Sequence, residues 1–187
     1  MQSQMPIGRD PVPRYVPEWA LPAYAFVPGL WPHPRRPGGH AHGIVDAETA
    51  PLLSDQPRAC RAFLRGLDLF NHGYYWEAHE AWEGLWRDAQ EPAQKALLQG
   101  LIRLAACGVK LRQGLSQNVC SHAQAAQALF ARAQKEAGHN LLCGLDLPLL
   151  QALAQQAWTH RAPRQAQAQV AVQVVFAQPL RLREGSG

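Results

Sequence analysis

The placement of proline sets the strongest limit on what this chain can fold into. Eleven of its 15 prolines lie at or before Pro57. Proline fixes φ, removes a backbone donor and pushes the preceding residue out of the helical region. Residues 1–57 therefore cannot build long helices and read as an extended or turning arm. The arm nevertheless carries Tyr15, Trp19, Tyr24, Phe26 and Trp31, whereas disordered segments are poor in aromatics. It is expected to lie as an ordered strap on a core supplied by the rest of the chain.

Beyond Pro57 the apolar spacing turns helical. Ala59, Phe63, Leu64, Leu67 and Phe70 recur at three and four residues, and Asn71-His72-Gly73 makes a stop. Further helices are expected over about 74–88, over 92–113 with Pro92 in the first turn, over 119–137 ending at Gly138, and over 148–160. Short connections make successive helices antiparallel neighbours. The fold class is all-α: an antiparallel bundle of about five helices with an extended N-terminal strap. The division is 1–57 strap, 58–160 bundle and 161–187 C-terminal extension, its last residues expected to be disordered. Gln165 to Gln169 suits a helix. Tyr24-Ala25-Phe26-Val27 and Leu180-Arg181-Leu182-Arg183 are expected to pair as a short two-stranded ribbon over the bundle.

Composition narrows the function classes. With 47% hydrophobic and 17% charged residues among 187, the chain can bury one core. No apolar run approaches the roughly 18–20 residues of a membrane span, and the opening residues lack the apolar stretch of a signal peptide. A cytoplasmic location is expected, with no membrane partner. Eighteen Lys+Arg against 14 Asp+Glu leaves a net charge of +4. The excess is spread thinly and forms no basic stripe, which argues against nucleic acid. Cys60, Cys107, Cys120 and Cys143 show no CxxC spacing and read as free, buried thiols.

The chemistry concentrates in the second helix. At about 100° per residue, Trp76, His79, Glu80, Glu83, Trp86 and Arg87 share one face, with Glu77 off to its side. Ordinary amphipathic helices keep charges and aromatics apart. His79 and Glu83, at i and i+4, suit adjacent metal ligands or a base and its orienting partner, with Glu80 beside them. The spacing is similar to the His-Glu-x-x-His of zinc peptidases, except that Glu83 stands where the second His would be. The competing reading is a buried polar network that fixes helix pairing, with Glu83 paired to Arg87 or Arg103. In the third helix Gln99 and Arg103 share a face, and Gly100 would let that face approach the acidic one.

The arm adds three histidines within ten residues, His33, His40 and His42. Folded over the acidic face, His33 and His40 would join His79 and Glu83 as ligands for a divalent metal such as Zn, Mn or Fe. The residues put forward are thus His79, Glu80 and Glu83 as catalytic groups. Trp76, Trp82, Trp86, Arg87, Gln99 and Arg103 are the expected pocket, and His33, His40, His79 and Glu83 the expected metal ligands. No nucleophile elbow, phosphate loop or dinucleotide fingerprint competes with this cluster.

Asn71-x-Gly73-x-Tyr75-Trp76-Glu77-Ala78-His79-Glu80-x-Trp82-Glu83-x-x-Trp86-Arg87, followed by Gln99-Gly100-Leu101-Ile102 and Ala105-Ala106, closely resembles the domain of unknown function 309 family. The resemblance spans about residues 58–135 and implies a small helical bundle, with no activity to carry over. Arg103 stands where many members have a second glutamine, which favours pairing with a carboxylate there. Two function classes follow from the residues: a metal-dependent, hydrolase-like protein acting on a small molecule, and a non-enzymatic helical module whose partner is another protein or a second copy of the chain.

Overall fold

The structure is a computed structural model that describes residue 12 and residues 14–44, 50–159 and 170–183. After a 3-10 turn at Pro57–Ala59 come α1 (Arg61–Asn71), α2 (Tyr75–Asp88), α3 (Pro92–Gln113), α4 (Ser116–Ala137) and α5 (Leu147–Thr159). A two-stranded antiparallel hairpin, β1 (Leu141–Leu142) and β2 (Leu145–Asp146), joins α4 to α5. Each helix packs on the next, α1 on α2, α2 on α3, α3 on α4 and α4 on α5. No helix among the described residues is long and apolar enough to cross a membrane.

The helix ends follow local chemistry. Pro92 opens α3, and Gly114 and Gly138, both left-handed, close α3 and α4. Helix α4 starts three residues before the expected Val119. Gly73, after α1, has φ +88°, and a Cβ there would sit 2.7 Å from the Gln173 carbonyl oxygen. Positive φ and a crossing backbone both demand glycine at that point. In the hairpin Cys143 and Gly144 take φ 49° and 72°, the two positive values that a tight two-residue turn needs. Asp146 Oδ1 then accepts the Leu149 N–H at 2.9 Å, capping α5.

The core centres on α2 and α3. Tyr75, Ala78 and Trp82 of α2 meet Phe63, Leu67 and Phe70 of α1 and Leu97, Leu101 and Leu104 of α3, with Phe130 of α4 behind. Trp82, expected in a pocket, is instead fully buried; its indole lies over Gly66 and its N–H reaches the Phe63 carbonyl at 3.4 Å. Gly100 faces Phe130, where a Cβ would fall 2.5 Å from the ring. It therefore admits α4 to α3 rather than α2. The close approach of α2 to α3 is at Gly108, under the Tyr75 ring. All four cysteines are free thiols, Cys60, Cys107 and Cys143 buried, and burial pushes the Cys107 thiol up to about 12.

The strap is held by side chains, not by strand pairing. Fully buried Asp68 accepts the N–H groups of Tyr15 (2.7 Å) and Val16 (2.9 Å). Arg65 donates to the carbonyls of Trp19 and Ala20. The expected ribbon between 24–27 and 180–183 is absent among the described residues. Ala25 donates to the Ala171 carbonyl, Leu182 N–H to Tyr15 Oη, and Arg183 N–H to the Gly144 carbonyl. Alternation suits a strand pair, but Glu77 of α2 takes the Phe26 N–H, Asn71 of α1 takes Leu180, and these other groups take the rest. The expected helix at 165–169 and the tail at 184–187 lie outside the described residues.

Candidate functional site

The long motif on α1 and α2 divides into two halves with different work. One half fastens the flanking segments. Asn71 makes a two-way amide pair with Leu180, accepting its N–H at 2.7 Å and donating to its carbonyl at 2.9 Å. Tyr75 Oη accepts the Val175 N–H at 2.8 Å. Buried Glu77 accepts the Phe26 N–H at 2.9 Å, and its Oε1 lies 3.0 Å from His40 Nε2. These are backbone groups that would otherwise be buried without partners, so the fasteners stabilise the docked strap and extension.

The strap histidines belong to this half. His40 lies edge-on to Tyr24 (4.7 Å between centroids), which stacks on Trp31. His33 packs edge-on against Phe26 (5.2 Å) and Trp76 (5.3 Å). Trp76 is thus a strap contact rather than a pocket wall.

The other half opens to solvent. His79, Glu80 and Glu83 are gathered so that one ligand atom from each lies within 4.8 Å of the others, and this group includes neither His33 nor His40. His79 Nδ1 is 3.6 Å from Glu80 Oε1 and 3.9 Å from Glu83 Oε2. The three side chains are 30–34% exposed, a half-open edge where the sequence suggests burial. The reason is that the strap covers the Trp76–Glu77 side of α2 and the core takes Ala78 and Trp82, leaving this edge beside α3 uncovered. Arg87 Nη2 lies 3.6 Å from Glu83 Oε1 and is itself 65% exposed. An exposed pair of this kind contributes little, so Glu83→Gln should change unfolding free energy by less than about 1 kcal/mol. Chemical denaturation checks this, and a larger loss would return Glu83 to the role of a structural partner.

Beside the cluster lies a cavity of about 260 Å³. Helix α2 gives it His79, Glu83 and Trp86, and α3 gives Gln99, Ile102, Arg103 and Ala106. The eighth lining residue, His122 of α4, was not anticipated. Its signal was present: with Val119 and Ala126 it completes an i, i+3, i+7 stripe on the inward face of α4. Burial lowers the His122 pKa, and the nearby cations Arg103 and Lys110 and the His79 imidazole act the same way, so its ring is neutral at neutral pH. Arg103 is exposed and makes no ion pair with a described residue.

The His79 side chain holds the Glu80 carboxyl below the usual carboxylate range, outweighing burial, with Arg35 and Arg87 adding to the effect. A lowered folded-state pKa gives stability that is present above the unfolded value and lost as pH falls through the folded one. Carbon-detected NMR should therefore find Glu80 titrating below an ordinary glutamate, and His79→Gln should move it back up. An unshifted Glu80 in the parent chain would contradict this arrangement.

No curated protein and no solved structure matches the chain. The family model described as Domain of unknown function (DUF309) matches residues 63–119, from α1 to the start of α4, and so encloses the fastening half of the motif, the His/Glu group and most of the cavity wall. Over residues 63–119 the chain is thus similar to the domain of unknown function 309 family.

Proposed function

We propose that the chain binds a divalent cation on α2 through His79 Nδ1, Glu80 and Glu83, and that it is a metal-dependent, hydrolase-like protein acting on a small molecule in the adjoining cavity. The observation that carries this reading is the state of His79 Nδ1. It is buried without a hydrogen-bond partner, yet two carboxylate oxygens stand 3.6 and 3.9 Å away. Those separations are long for hydrogen bonds. They are near the edge of about 3.4 Å between two ligands that share a tetrahedral metal at about 2.1 Å. One imidazole with two carboxylates is a donor set suited to Zn, Mn or Fe, and three protein ligands leave a position open.

A cation held there supplies Lewis acidity for hydrolysis. The chain's own groups divide the remaining work. Neutral His122 on the opposite wall can accept a proton, Arg103 supplies positive charge at the mouth, and Ile102 and Ala106 give an apolar floor. In this reading His33 and His40 serve the strap.

The second reading, a non-enzymatic interaction module with a structural polar face, is favoured by one observation: Asn71, Tyr75 and Glu77 of the same motif are engaged in fastening the strap and extension. Calorimetric titration of the full chain, purified without a histidine tag, separates the two. One Zn²⁺ or Mn²⁺ per chain is expected, with Glu83→Gln and His79→Gln each weakening binding by at least about tenfold, the lower range for disturbed metal sites. Absence of stoichiometric binding would remove the cation and leave the interaction module.

A further inference from the structure

Around the His/Glu group the cavity is lined with polar side chains that bond to no described residue. Gln99 and Arg103 of α3 and His122 of α4 make no side-chain hydrogen bond or ion pair with any described residue. Trp86 Nε1 is buried with no acceptor. Arg103 is exposed and Gln99 and His122 are half-buried, so the Trp86 N–H is the donor here that lacks both solvent and partner, whereas buried polar groups are nearly always paired. The unpaired groups here are mostly donors: a guanidinium, an indole N–H and an amide NH₂. Lys95 adds positive charge, its Nζ 5.7 Å from the Trp86 ring centroid.

A wall weighted toward donors, with the Gln99 amide oxygen and one His122 nitrogen as its acceptors, fits a ligand that chiefly accepts. We infer that this cavity binds the oxyanion of a small metabolite, a carboxylate or a phosphate, gripped by Arg103 and Gln99 on the α3 wall and facing His79 and Glu83 across the groove. Arg is the side chain best shaped to hold such a group, through two parallel N–H donors. Size limits the rest of the ligand. About 260 Å³ is smaller than the roughly 300–1,000 Å³ of sites for drug-sized molecules. Ile102 and Ala106 leave room for a short hydrocarbon and no further polar recognition.

The anion also resolves an electrostatic difficulty. Glu83 and Glu80 would repel an oxyanion placed against them, so the anion lies against the α3 wall and is held more tightly when the carboxylates are neutralised. The proposed cation does this, and the inference rests on that reading for one of its two walls.

The test uses the full chain titrated with inorganic phosphate and, separately, with butyrate, each with saturating Mn²⁺ and again in the presence of a chelator. With Mn²⁺ at least one of the two anions should bind, and which one does decides between phosphate and carboxylate. Arg103→Gln, at an exposed position that leaves folding intact, should weaken that binding at least tenfold while changing Mn²⁺ affinity less than twofold. Ala106→Phe, which fills the floor, should weaken butyrate more than phosphate wherever butyrate binds. Failure of both anions on the Mn²⁺-loaded chain, or equal binding by Arg103→Gln, overturns the inference and leaves the cation reading standing. If the parent chain takes up no Mn²⁺, the cation reading falls by itself. A tenfold Arg103 dependence in chelator would then still support the anion site, and no anion binding there would overturn it.

Discussion

Asp68→Ala is expected to cost about 3–5 kcal/mol, the loss typical of breaking a buried charged network. Its carboxylate is fully buried and accepts the N–H groups of Tyr15 and Val16, with Arg14 Nε 3.6 Å away. Removing it leaves the Tyr15 and Val16 N–H groups without their acceptor and Arg14 without its counter-ion, though Arg14 keeps its bonds to the Val16, Pro17 and Trp19 carbonyls. Each orphaned donor costs roughly 1–3 kcal/mol. Urea unfolding followed by tryptophan fluorescence measures the loss. Hydrogen exchange at Tyr15 and Val16 should quicken with it. A loss below about 1 kcal/mol would mean that the strap is not docked on α1 in solution.

The second large effect lies where α2 meets α3. A Cβ on Gly108 would sit 2.5–2.8 Å from three atoms of the Tyr75 ring. That ring cannot easily yield, since Phe70 and Phe176 flank it at 5.3 and 5.4 Å and its hydroxyl holds the Val175 N–H. Overpacking of this kind costs about 1–3 kcal/mol or more. Alanine also gains about 1 kcal/mol of helix propensity over glycine, so Gly108→Ala, at the upper end of that overpacking cost, should destabilise by about 1–2 kcal/mol net. Gly84, in α2, has nothing within 4 Å of its would-be Cβ, and Gly84→Ala should stabilise by about 0.5–1 kcal/mol. Thermal unfolding of the two variants should move in opposite directions. A stabilised Gly108→Ala would refute the close approach.

Helix positions were legible because their signals are local: apolar spacing, Pro92 at a start, Gly114 and Gly138 at stops. The mixed character of α2 was legible too, but its cause was not. A helix with polar and aromatic residues on most sides implies several different neighbours, and periodicity cannot say which neighbour takes which side. Here the core takes Trp82, the strap takes Trp76 and Glu77, and the cavity takes His79, Glu83 and Trp86. The pairing of His40 with Glu77 spans 37 residues, and no spacing rule within one helix reaches that far. Gly100 and Gly108 are both helical glycines in α3, and only tertiary packing reveals that one admits α4 and the other α2. The strap's route was misread for a related reason. Alternation reports a half-buried extended chain, and it is silent on whether that chain pairs with a strand or with side chains such as Asn71 and Tyr75.

In the proposed metal site one helix supplies the ligands, while His33 packs on Phe26 and Trp76 and His40 on Glu77 and Tyr24. Zinc K-edge X-ray absorption on the full chain loaded with one equivalent of Zn²⁺ tests it most directly, because the spectrum counts imidazoles and distinguishes sulfur from oxygen. One imidazole nitrogen with oxygen ligands at about 2.0–2.2 Å and no sulfur is expected. Two or more imidazoles would bring His33, His40 or His122 into the ligand set and contradict it, as would a thiolate at about 2.3 Å.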